Sequence, residues 1–123
     1  MRYLTDRKRA SGLGSGREGT HHHWQMMVSS ILLVPLVPIL VMLFGGALGG
    51  THEEVLAYFS RPIPAILMGL SLIVIVVHLM RETHAAIEDY VHGTAGKLTL
   101  IATTAFSYTI IAAGLFAIAR IAL

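Results

Sequence analysis

The chain contains no cysteine among its 123 residues. That excludes a disulfide framework, a thiolate-held metal, a cysteine-ligated iron–sulfur cluster and a cysteine nucleophile. Charge is scarce as well: Asp, Glu, Lys and Arg make up 13% of the residues, against about 25% in an ordinary soluble domain, and they are gathered into a few stretches. Nine Lys/Arg against seven Asp/Glu leave a formal net charge of +2. Beside long apolar runs, so small an excess carries topology information rather than a nucleic-acid footprint. What is abundant is apolar: 54% of the residues are hydrophobic and the mean hydropathy is +0.69. A soluble fold this short could not bury that surface. Composition therefore points to a small integral membrane protein.

Residues 1–25 are polar and basic, with Arg2, Arg7, Lys8, Arg9 and Arg17 between several glycines. They form a cytoplasmic N-terminal segment, expected to be retained because the first apolar run comes later and is longer than a signal peptide allows. Residues 26–123 form the membrane anchor domain. Met26 to Leu48 is 23 residues without a charge, about 34 Å as a helix and enough to cross a hydrocarbon core of about 30 Å. Pro35 and Pro38 inside it withhold backbone donors and favour a bend. After a polar connection, Gly49 to Arg61, Pro62 and Pro64 suit the opening turn of a second helix. Pro64 to Met80 is the second span; its 17 residues make about 26 Å, and Arg81 extends it by snorkelling. The polar stretch Arg81 to Lys97 precedes a third span, Leu98 to Ala119.

With the N-terminus cytoplasmic, seven Lys/Arg lie inside (Arg2, Arg7, Lys8, Arg9, Arg17, Arg81, Lys97) and two outside (Arg61, Arg120). The positive-inside rule thus predicts an all-α membrane protein of three transmembrane helices, N-terminus cytoplasmic and C-terminus periplasmic. Small residues along the third span, among them Ala105, Ser107, Ala112 and Gly114, favour close approach of other helices. The chain is expected to be part of a multi-subunit helical bundle.

His78 is the most informative residue. It lies inside the apolar run near the end of the second span, where ionisable groups are rare and functional by default. Neutral imidazole offers one nitrogen to a metal or haem iron while the other needs a hydrogen-bond partner. The alternative is a histidine that simply bonds a neighbouring helix or is wetted near the interface. His84, six residues on, is about 9 Å further along and about 240° around a helix, so it cannot face the opposite side of the same porphyrin. A six-coordinate haem would need its second histidine from another subunit. Asp89 and Tyr90 together offer a proton relay and a phenolic donor at the membrane surface, as reduction of a quinone carbonyl requires, although Asp is also ordinary in loops and Tyr in interfacial belts. His21, His22, His23 and Trp24 stand before the first span. Trp24 reads as an interfacial anchor, and one of the histidines could meet an anionic group such as a haem propionate.

These residues resemble a known family, the hydrophobic membrane anchors of bacterial succinate dehydrogenase, respiratory complex II. The resemblance is carried by His78, ten intervening residues and Asp89-Tyr90, by Gly16-Arg17-Glu18-Gly19-Thr20-His21 at the entrance to the first span, and by the three-span plan. It covers residues 12–123. It implies that His78 is an axial ligand of a haem b shared with the cytochrome b subunit and that Tyr90 hydrogen-bonds ubiquinone with Asp89 supporting the proton path. It also implies that His21 lies near the haem propionates. The implied partners are that subunit, an iron–sulfur subunit and a flavoprotein subunit in the bacterial inner membrane, with no activity in the isolated chain. One departure stands out: related anchors often carry an arginine in the first turn of the first span, where this chain has Gln25-Met26-Met27. Arg17, the histidines or a partner chain are left to balance the propionates. Competing readings are a fumarate reductase anchor, a small transporter or channel subunit, and a haem-free structural anchor.

Overall fold

The computed structural model describes residues 3–12, 14 and 18–123, with the Glu18 side chain outside that description. Among them the chain forms five helices: α1 (Asp6–Ser11), α2 (Glu18–Gly45), α3 (His52–Phe59), α4 (Pro62–Tyr90) and α5 (Gly93–Ala122). Three of these, α2, α4 and α5, are long and apolar enough to cross a membrane. In hydrocarbon a helix satisfies its own backbone donors and acceptors, which is why such sequences adopt this form.

The helices overrun the apolar stretches. α2 begins eight residues before Met26 and runs through Pro35 and Pro38 without interruption. Pro62 occupies the first turn of α4, as its missing N–H and fixed φ favour. α4 then continues for ten residues past Met80, because Arg81 to Tyr90 contains neither glycine nor proline and keeps the i to i−4 ladder intact. The polar stretch before α5 is therefore mostly helix. The chain reverses at Val91-His92, where the Val91 N–H still donates to the Ile87 carbonyl at 2.8 Å and Gly93 takes a φ of 70°, a conformation that suits glycine. The connection Gly49 to Arg61 likewise holds a helix. Thr51 caps α3, accepting from the Glu54 N–H, while Glu54 Oε2 accepts from the Thr51 N–H at 2.8 Å, a reciprocal capping box.

α4 lies between α2 and α5, and α2 and α5 make no close backbone approach to one another. The three long helices thus stand in a row. α5 packs most closely on α4, where Gly114 leaves room for Leu72; a Cβ at Gly114 would collide with the Leu72 side chain. α3 folds under the far end, burying Phe59 against Phe44 with ring centroids 5.4 Å apart. Only 17%, 11% and 6% of the apolar stretches of α2, α4 and α5 are buried within the chain. Most of their surface is left for lipid or for other helices.

Candidate functional site

α2 and α4 run antiparallel, so the start of α2 meets the later turns of α4. There His78 is brought against Ser29: Ser29 Oγ lies 2.9 Å from His78 Nδ1. The His78 side chain is 16% exposed and Ser29 is 7% exposed, so the pair is a polar island between two apolar helices. The other ring nitrogen, Nε2, has no hydrogen-bond partner among the described residues. Its nearest acidic atom is Glu82 Oε1, one turn on, at 3.8 Å, too far for a hydrogen bond.

His84 faces the other neighbour. Its Nε2 lies 3.0 Å from Thr104 Oγ1 on α5, and Thr104 in turn donates to the Leu100 carbonyl at 2.8 Å. The two histidines of α4 are therefore divided between its two flanks: His78 serves the α2 side and His84 ties α4 to α5. Each has one ring nitrogen engaged by a hydroxyl, and of the two His78 is the one set within the apolar run. No group of three His, Cys, Asp or Glu side chains that could hold a metal ion occurs among them.

Further towards the N-terminal end of α2, His21 Nε2 lies 2.6 Å from Gln25 Nε2. Arg81 crosses from α4 to donate to the Gln25 carbonyl at 3.5 Å. His21, Trp24, Gln25, Ser29 and Arg81 line a groove of about 390 Å³ between α2 and α4. Arg81 is the guanidinium in that lining; Arg17, together with Gly16 and Arg2, lies outside the described residues. Asp89 and Tyr90 end α4 at the same side of the molecule. Tyr90 is 85% exposed and Asp89 is exposed, so neither is enclosed by the described residues. α4 is one unbroken helix from His78 to Tyr90, and twelve steps along it place the two about 18 Å apart on the axis.

The family described as "Succinate dehydrogenase/Fumarate reductase transmembrane subunit" matches residues 1–119. The chain belongs to this family. A "Succinate dehydrogenase hydrophobic membrane anchor subunit" from Paracoccus denitrificans is 44% identical over 123 residues, covering 100% of the chain and 95% of that protein. No solved structure gave a significant match. Membership sets aside a transporter or channel subunit, and three apolar helices make this family member a multi-pass membrane protein.

Sequence reasoning singled out His78, His21, Asp89 and Tyr90. The structure brings His78 to α2, places His21 further along the same seam, and leaves Asp89 and Tyr90 at an open end. Sequence reasoning missed Ser29 and Thr104, the hydroxyls that the two histidines of α4 meet, and the reach of Arg81 to Gln25. Ser29 had a readable signal: it and Ser30 are the only polar side chains in the apolar stretch Met26 to Leu48.

Proposed function

We propose that this membrane anchor of succinate dehydrogenase supplies His78 as one axial ligand of a haem b and contributes Tyr90 and Asp89 to a ubiquinone site. The observation that carries the reading is the state of the His78 ring: half-buried in an apolar helix, Nδ1 engaged by Ser29, Nε2 without a hydrogen-bond partner among the described residues. A metal-bound histidine needs one nitrogen oriented by a hydrogen bond and the other free to coordinate. The donor set fits haem. His84 cannot reach the other face of the same porphyrin, so a second histidine would come from the cytochrome b subunit. Such a haem, when bound, supplies one-electron transfer within the membrane.

The protein's own residues would then divide the work along α4. His78 holds the iron in the apolar zone, and Tyr90, about 18 Å on, lies at the surface, where a quinone head group meets water and protons. Its phenolic O–H donates to a quinone carbonyl, and Asp89 beside it holds or passes a proton. The exposure of both residues fits a site whose remaining walls come from partner subunits. His21 is the residue proposed for the anionic edge of the haem, and Arg81 adds a positive charge to the same groove. With the N-terminus in the cytoplasm, the basic start of the chain and the α4–α5 turn share the side on which the flavoprotein and iron–sulfur subunits dock, as the positive-inside rule favours. Electrons from succinate would reach the quinone through those subunits. The relative's name favours oxidation of succinate over fumarate reduction.

The test is the reduced spectrum of the purified complex. His78→Ala is expected to remove the b-type haem signal while flavoprotein and iron–sulfur subunits still co-purify; full retention of haem refutes the ligand assignment. Absence of those two subunits from the purified wild-type complex would overturn the function.

A further inference from the structure

Two serines sit side by side at the start of the apolar part of α2, and the structure treats them differently. Ser30 is exposed and donates only to the Met26 carbonyl of its own helix, at 2.9 Å. Ser29 is 7% exposed; it too reaches the Met26 carbonyl at 2.9 Å, but its oxygen also lies 2.9 Å from His78 Nδ1, across 49 residues of sequence. A hydroxyl has one proton and two lone pairs. A carbonyl can only accept, so the bond to Met26 takes the proton and turns a lone pair towards the imidazole. The Nδ1 that meets that lone pair must then carry the hydrogen.

We infer that Ser29 is a positioning residue for His78: its hydroxyl oxygen accepts the Nδ1–H, fixes the tautomer and ring plane, and presents the Nε2 lone pair for ligation. The inference rests on the assignment of His78 as a haem ligand. Ser29 Oγ is the one hydrogen-bond partner of that nitrogen among the described residues, so one serine decides which nitrogen is basic. An acceptor on the distal N–H also makes imidazole a stronger donor to the metal. A stronger donor favours ferric over ferrous iron, so Ser29 would hold the haem potential down.

Four variants of the intact complex test this: Ser29→Ala, Ser29→Thr, Ser29→Val and, as the local control, Ser30→Ala. The readouts are the haem midpoint potential by redox titration, the g values of the ferric haem by electron paramagnetic resonance, and haem content under limiting haem supply. Ser29→Ala and Ser29→Val are expected to raise the potential, shift the g values and weaken haem retention, by about 10–100-fold in affinity if Ser29 behaves like other partners of metal-bound histidines. Ser29→Thr and Ser30→Ala should match wild type. Thr and Val share a shape and differ by the hydroxyl, so this contrast decides the matter even where Ala disturbs assembly. Equal behaviour of Thr and Val, or an unchanged potential and spectrum in Ala and Val, would overturn the role of Ser29 while leaving His78 as ligand. Haem retained in full by His78→Ala would instead remove the assignment beneath it.

Discussion

Gly96 offers a sharp test of how the α4–α5 turn positions Asp89 and Tyr90. It is buried in the first turn of α5, and a Cβ built there would lie 2.5 Å from the Val91 carbonyl oxygen and 3.1 Å from its carbon. Ordinary carbon–oxygen contacts in proteins are about 3.3–3.6 Å, so an alanine methyl lacks about 0.8 Å of room. The obstacle is backbone that cannot rotate away: Val91 is the C-cap of α4, held by its N–H to Ile87. Relief requires α5 to move off the end of α4, and overpacking of this kind costs about 1–3 kcal/mol, or about a 5- to 150-fold change in an equilibrium. Gly69→Ala is the matched control, since its Cβ meets nothing nearer than Leu115 Cδ2 at 3.6 Å. In the purified complex, Gly96→Ala is expected to lower the temperature at which the subunits separate and to impair quinone reduction several-fold, with the b-haem spectrum intact because His78 lies about 18 Å along α4. If Gly96→Ala matches Gly69→Ala in both thermal separation and quinone turnover, the close approach at Val91 does not set this end of the molecule.

Two further outcomes follow from the same geometry. Tyr90→Phe removes a hydroxyl that no described residue engages, so folding should be unaffected; succinate–quinone activity should fall while succinate oxidation with an artificial acceptor is kept, and parallel loss of both activities would mean faulty assembly. Thr104→Val removes the partner of His84 and should destabilise the α4–α5 pairing by about 0.6 kcal/mol, up to about 1.7, whereas Thr104→Ser should not; equal thermal profiles for the two would show that the bond between His84 and Thr104 is energetically silent.

His78 was legible because it interrupts an apolar run, and three spans were legible because their lengths match a bilayer. The length of α4 past Met80 was obscured by polarity: Arg81 to Tyr90 looks like a loop by hydropathy, yet nothing in it breaks a helix. α3 had its signal in Thr51-x-x-Glu54, a capping box placed within a stretch read as connection. The partners of the histidines could not be read in the same way. Ser29 and His78 are 49 residues apart, and whether a serine turns to its own carbonyl alone or also to a neighbouring helix depends on the rotation of α2 about its axis. No periodicity within either segment fixes that rotation. The exposure of Tyr90 was equally out of reach, since it depends on where α4 ends relative to the other helices.

The row of α2, α4 and α5 has a consequence for how the protein is made. A line of three helices cannot close on itself, so its two broad sides stay unsealed until other chains arrive, and the pair Ser29–His78 waits at one seam of that line. Whatever binds the assembled state and not the unassembled one adds to its stability by mass action. The durability of this protein should therefore rise with the supply of its companions, and copies made in excess of them would lack that increment.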